Sequence, residues 1–273
     1  VRTVVAPIEV APPDSAALPP EWAAWAEEPG RDVRIEEDGT VLGMVHAIVV
    51  GRDEAWFEGL WVRPSARGRG IGRRLVAEAE ALVRGHGAAV ARTAVPARDY
   101  GALAVAERAG FVRHSEAAVL AGPVPAEPVE TPYEAPVRAA RTEETAVAAR
   151  LLAESTPLAG WRGLLPLGWR FRRLVPELVR GLTKDRRVLV SGREPEGVVL
   201  FAVRGDDAVI STLAGPSAHR AALFGAVAER ALAAGASRIV LFSPEARSGE
   251  DLRAALAPHP WCPDGLVIVE KAL

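Results

Sequence analysis

Cysteine is almost missing from this chain: Cys262 is the only one in 273 residues. That excludes an internal disulfide and a cysteine-based metal site. Lysine is nearly as scarce. Lys184 and Lys271 are the only two, and arginine supplies the rest of the basic charge, a bias expected of a GC-rich genome rather than of chemistry. No apolar run approaches the roughly 18 residues of a membrane-spanning helix, and the sequence does not open with a basic segment followed by an apolar core. The expected location is therefore the cytoplasm, with no membrane partner. Charge of one sign is also lacking: the net value is −2, so nothing draws the whole molecule toward nucleic acid. What is present is ordinary for a globular protein, with 49% hydrophobic and 25% charged residues. The length suits two domains better than one.

One stretch stands out, Leu60 to Leu75, reading LWVRPSARGRGIGRRL. A strand-like run (Trp56 to Val62) stops at Pro64, a turn with three glycines follows, and a helix is expected from Arg73 to about Arg84. Glycine lets backbone approach a ligand closely. A helix N-terminus points unpaired N–H groups and a positive dipole end at one place, which suits an anion such as a phosphate. Arg67, Arg69, Arg73 and Arg74 add formal charge there. The glycines do not complete the dinucleotide fingerprint, whose third glycine would fall at Arg73 or Leu75. No Gly-Lys-Ser/Thr makes a P-loop. A flexible basic surface turn is the plain alternative.

At these residues the chain resembles the GNAT N-acetyltransferases, whose acyl-CoA loop has Val-x-Pro, a short spacer, Arg-x-x-Gly-x-Gly and a helix. The resemblance runs from about residue 33 to 115. It implies acetyl-CoA as co-substrate, an amine acceptor and no metal. It also implies that the backbone amides from Gly68 to Arg73 (Gly68, Arg69, Gly70, Ile71, Gly72, Arg73) hold the pyrophosphate beside the charge of Arg67, while Trp61, Val62 and Arg63 pair with the pantetheine arm. The family's second block is matched by ARDYGALAVAERAGFV. Asp99 stands at the usual asparagine and is also a good helix N-cap. Ala106 stands where a tyrosine often protonates the leaving thiolate, so Tyr100, near the helix start, is the candidate substitute. Glu58 is the candidate general base, since the attacking amine must be neutral. Simple alternation groups it with Leu60 and Val62 on one strand face; a solvated or ion-paired strand glutamate is the other reading.

Elsewhere in the first half, DVRIEE, Asp38-Gly39 and TVLGMVHAIVV read as a hairpin. His46, inside a strand, reads as a half-buried structural histidine rather than a catalytic one, and His114 reads as structural. Glu21 to Glu28 reads as a short helix with Trp22 and Trp25 on one face, as core or as one wall of an acceptor pocket. GPVPAEPVETPYEAP, with five prolines, reads as a linker. The division expected is 1–122, a linker at 123–136, and 137–273.

The second half repeats the order of elements. VRAARTEETAVAARLLAES reads as a strand and a helix with Thr142 as cap, Thr145 being next best. PLAGWRGLLPLGWRFRRLVPELVRGL reads as a pair of helices or as a basic lid. RRVLVSG, GVVLFAVRG and DAVISTLAG are three strands, AALFGAVAERALAAGA a helix and SRIVLFSP a strand. Pro216-Ser217-Ala218-His219 parallels Pro64-Ser65-Ala66-Arg67, which sets Ala222 and Phe224 against Gly70 and Gly72. The expected fold class is α/β (α+β), two tandem GNAT-like domains, each a mixed, mainly antiparallel sheet flanked by helices. Only the first would bind acyl-CoA. The reaction implied is direct acetyl transfer from acetyl-CoA to an amine. A non-catalytic acyl-CoA sensor and a protein-interaction module are the other classes. No nucleic acid is expected, and the assembly is expected to be a monomer or homodimer.

Overall fold

The structure, a computed structural model, describes residues 2–6, 30–126, 136–244 and 256–273. The helix expected over Glu21 to Glu28, with Trp22 and Trp25, lies outside the described residues, as does much of the proline-rich segment. Two compact units form. Unit 1 runs to His114 and includes Ile268–Leu273; unit 2 is Ser115–Val267. The units are not linear halves: the division falls inside a strand, before the prolines, and the last strand returns to unit 1. Local sequence signals mark linkers, whereas strand pairing joins residues far apart in the chain.

In unit 1 the sheet order is β1 (Arg2–Ala6), β2 (Arg31–Glu37), β3 (Thr40–Val49), β4 (Glu54–Val62), β5 (Val90–Pro96) and then the distant β15 (Leu266–Ala272). The hairpin between β2 and β3 turns at Asp38 and Gly39 with φ of 50° and 76°. Both are left-handed, as a turn matching the strand twist requires. Pairing from β1 through β4 is antiparallel. β4 and β5 are parallel, and they pair only from Glu54–Val90 to Trp56–Arg92. Helix α1 (Ile71–Gly85) starts two residues before the expected Arg73 and buries Leu75, Val76, Ala79 and Val83 along one face. Helix α2 (Tyr100–Arg108) is capped by Asp99, whose carboxylate accepts from the Ala102 N–H at 2.9 Å, the cap expected.

The returning strand is tied down by charge. Arg92 on β5 is buried, ion-paired to Glu54 on β4, and donates to Glu270 on β15 at 2.6 Å. Lys271 donates to Glu80 of α1 at 2.7 Å and to the Ala109 carbonyl at the end of α2 at 2.6 Å. One of the chain's two lysines thus joins a strand to two helices.

In unit 2 the sheet runs β6 (Val112–Pro123), β13 (Arg238–Ser243), β12 (Asp207–Ala214), β11 (Gly197–Arg204), β10 (Val188–Ser191) and β7 (Val137–Ala139). The two-residue β14 (Ala257–Pro258) pairs with β6. β12 and β13 are parallel over Asp207–Ile210, the counterpart of β4 and β5. Helix α3 (Thr145–Ala153) begins after a 3-10 turn, Thr142–Glu144. Thr142 does not cap it: the Thr142 carbonyl accepts from the Thr145 hydroxyl at 2.8 Å, and Glu144 gathers the charges instead. The proline- and arginine-rich segment is not a simple pair of helices. A short α4 (Thr156–Gly160) leads into a hairpin, β8 (Leu164–Leu167) and β9 (Arg170–Arg173), before α5 (Pro176–Lys184). Alternation explains the hairpin: Phe171 is fully buried between half-buried arginines, and Leu165 pairs opposite Arg172. The last helix is α6 (Ser217–Ala233). Among the described residues, no helix is long and apolar enough to cross a membrane.

Candidate active site

After β4 the chain makes a 3-10 turn, Pro64–Ala66, then reaches Gly68 and Gly70, both at φ 77°. Residues with a Cβ avoid this region. Nothing lies within 4 Å of where a Cβ on either would stand, so backbone conformation rather than crowding calls for glycine here. Gly70 is the N-cap of α1, and no side chain caps that helix. Its first-turn amides therefore remain available to a ligand. They open into a cavity of about 630 Å³, floored by the end of β4, the loop and one face of α2.

Of the residues singled out from the sequence, Trp61, Val62, Arg67, Gly68, Gly70, Ile71, Gly72, Arg73 and Asp99 line this cavity. Arg63, Arg69, Glu58 and Tyr100 do not. The Arg63 N–H donates to the Leu42 carbonyl at 2.8 Å, and its guanidinium lies 5.8 Å from the centroid of the Trp61 ring. Arg69 pairs with Glu37 at 3.1 Å. Because N–H and C=O groups alternate sides along a strand, Arg63 faces β3 and Val62 faces the open edge. Arg67 caps that edge, its Nε donating to the Val62 carbonyl at 3.2 Å. Besides Gly101, three residues of α2 line the cavity without having been candidate site residues: Ala102, Val105 and Arg108. Their spacing of three along α2 is the signal that marks a shared face.

Tyr100 is 75% exposed and is not among the lining residues, while Ala106 is buried. Glu58 is buried, at 8% exposure. It does not share a face with Leu60 and Val62. Gly59 has φ 63°, and the register with β3 shifts there: Glu58 stands opposite His46, and Trp61 opposite Met44. A bulge has inserted one residue and reversed the alternation beyond it. A glycine inside a strand was the available sign of this. Opposite Glu58, His46 is fully buried. Its Nε2 lies 3.9 Å from Glu58 Oε1, and its Nδ1 lies 3.1 Å from Asp32 Oδ1. His46 is buried among charges, not half-buried as expected. Among the described residues, no group of three His, Cys, Asp or Glu could hold a metal ion.

Residues 6–111 match the model of the acetyltransferase (GNAT) family. The chain carries a GNAT acetyltransferase domain. No curated protein matches the sequence. Among solved structures, the GCN5-related N-acetyltransferase from Sphaerobacter thermophilus is similar over 88% of this chain and 80% of its own, at 18% identity and a TM-score of 0.61. A tandem GNAT protein from the clavulanic acid biosynthesis pathway is similar over 89% and 83%, also at 18% identity, with a TM-score of 0.55. At such identities the likeness is one of fold, and it extends beyond the GNAT domain to both units.

The place in unit 2 that corresponds to the GNAT loop is built differently. Pro216 leads directly into α6 at Ser217, so the residues set against Arg67 to Gly70 (His219 to Ala222) form helical turns. Phe224, against Gly72, is buried in the unit 2 core. His219 is also buried, its Nδ1 2.9 Å from the Ser191 hydroxyl. Where unit 1 has an open turn, unit 2 has packed side chains.

Proposed function

We propose that the chain transfers an acetyl group from acetyl-CoA to a primary amine, using unit 1. The observation that carries this reading is the uncapped start of α1, behind two left-handed glycines, facing a cavity at the place where β4 and β5 stop pairing. In this reading the amides from Gly68 to Arg73 hold the pyrophosphate, with Arg67 and Arg73 supplying charge. The pantetheine arm runs along the open edge of β4. Leu60 and Val62 lie on that edge by alternation from Arg63, and one of their N–H groups polarises the thioester carbonyl. Glu58 takes the amine proton. The amine nitrogen forms its bond to the acetyl carbon as the carbon–sulfur bond breaks, with no enzyme-bound intermediate. The thiolate takes its proton from water, since neither Ala106 nor the exposed Tyr100 offers one inside the cavity.

Calorimetric titration with coenzyme A and acetyl-CoA, followed by thiol release with a panel of primary amines, tests the reading. Binding together with release that is lost in Glu58→Gln is the expected result. Failure to bind either nucleotide would end it. Ala106 favours a second reading, an acyl-CoA sensor without turnover. Tight binding with no release for any amine is its signature.

A further inference from the structure

Asp32, His46 and Glu58 are direct cross-strand partners on β2, β3 and β4. Opposed residues in an antiparallel sheet project from the same face, so three titratable side chains form one row. Asp32 and His46 are fully buried and Glu58 nearly so. Asp32 is held from two sides, by His46 Nδ1 at 3.1 Å and by Arg34 Nη2 at 3.2 Å. An ionised carboxylate only accepts, so Nδ1 carries the hydrogen and Nε2 turns its lone pair toward Glu58. Gly30 backs that edge of the ring: a Cβ there would stand 2.2 Å from both Cε1 and Nε2. The imidazole is thus fixed by Asp32 at one nitrogen, by bare backbone at one edge, and aimed at Glu58 with the other nitrogen.

We propose that His46 is a positioning residue for Glu58 and receives the proton that Glu58 removes from the amine. The proposal rests on the reading of Glu58 as the general base. In the step, the Glu58 O–H bond breaks as the Nε2–H bond forms. The resulting imidazolium lies between two carboxylates, Asp32 and the regenerated Glu58, and gives the proton to solvent after product leaves. No further reactant is consumed. The 3.9 Å separation is about 1 Å beyond hydrogen-bond range, and contacts of this kind tighten when substrate binds. The anchoring of a histidine by a buried aspartate is the arrangement that fixes tautomer and orientation in hydrolase triads. Here the group served is a carboxylate.

Two readouts on the full chain test this. Nitrogen NMR of the histidine rings, with His46 assigned by the signal lost in His46→Gln, reports the tautomer and the surroundings of each ring nitrogen. The expected result is an Nδ1–H ring whose Nε2 resonance shifts in Glu58→Gln, where the carboxylate it faces becomes an amide. Among the described residues, the charged groups that face it include Asp32 and Arg34 on β2 and Glu58 on β4. Glu58→Asp, which keeps the charge and shortens the reach, gives the same comparison if the glutamine variant does not fold. With the fastest amine of the panel, His46→Gln keeps a donor for Asp32 but cannot take a proton. Its kcat is expected to fall about tenfold with KM for acetyl-CoA and melting temperature unchanged. An unmoved Nε2 resonance, or an unchanged kcat in His46→Gln, overturns the proposal. Thiol release that survives in Glu58→Gln overturns the base reading and the relay together, so the two failures are distinguishable.

Discussion

The same junction is built twice in this molecule, with opposite results. After β4, the chain breaks from strand to helix through a turn containing Gly68 and Gly70, and α1 starts late, at Ile71. After β12, Pro216 passes straight into α6, which is 17 residues long against 15 in α1. In both, a parallel strand pair separates beyond its first few residues. The element order and the splayed strands are therefore properties of the fold. The open turn before α1 is a property of about four residues. Removing glycine there does not simply block the site; it lets the helix grow backward through it and lets side chains pack into the space.

That contrast can be broken from either side. The largest effect is expected in unit 2: Phe224→Ala empties part of a packed core and costs about 3 to 4 kcal/mol in denaturant unfolding, with coenzyme A affinity unchanged. If affinity changed too, the two junctions would not be independent. Gly70→Val is expected to weaken coenzyme A binding about 100-fold in calorimetry, because a β-branched residue resists the left-handed cap and adds bulk beside the amides. Near-normal affinity would mean the turn is not the anion site.

A smaller effect belongs to Glu144. Its carboxylate accepts from Arg138 at 2.6 Å, from the Arg141 side chain at 2.9 Å and from the Arg141 N–H at 2.9 Å. The Arg138 hydrogen bond, aided by those from Arg141, holds its pKa well below the usual carboxylate range against the opposing effect of burial. A folded-state value below the unfolded one stabilises above the unfolded pKa, and that stabilisation is lost as pH falls toward the folded value. Glu144→Gln should therefore cost about 2 kcal/mol at neutral pH, with the gap narrowing in thermal melts below about pH 4.5. A gap independent of pH would assign the loss to packing. The smallest effect is expected for Arg73→Ala. This side chain is exposed at the rim of the cavity, so a loss of about fivefold in coenzyme A affinity, shrinking with added salt, is the expectation.

How much of this was legible beforehand follows from the range of the interactions involved. The loop before α1 is a local device, and its glycines, proline and helix announced it in one block. The Asp99 cap and the Asp38–Gly39 turn are local in the same way. The Asp32–His46–Glu58 row was hidden because it depends on register across three strands. The bulge at Gly59 then placed Glu58 on the opposite face from the one simple alternation assigns. The hairpin at β8 and β9 was obscured by arginines and prolines whose pattern fits several structures. Phe171 among arginines was its one period-two sign. Nothing local in LVIVEKAL could say which sheet it would join.

That last strand carries a consequence for how the protein is made. Unit 1 holds the glycine turn before α1, yet β15, beside β5 and far along the chain, supplies Glu270 to Arg92 and Lys271 to Glu80 and the end of α2. These residues leave the ribosome nearly 200 residues after that turn does. Until then Arg92 is a buried cation with one of its two carboxylates missing, an unfavourable state. Unit 1 thus waits for a segment made long after the rest of it before its sheet and charges are complete. Folding from the N-terminus, the usual order during translation, stalls here one strand short. A gene cut at the proline-rich segment would not yield two self-sufficient products.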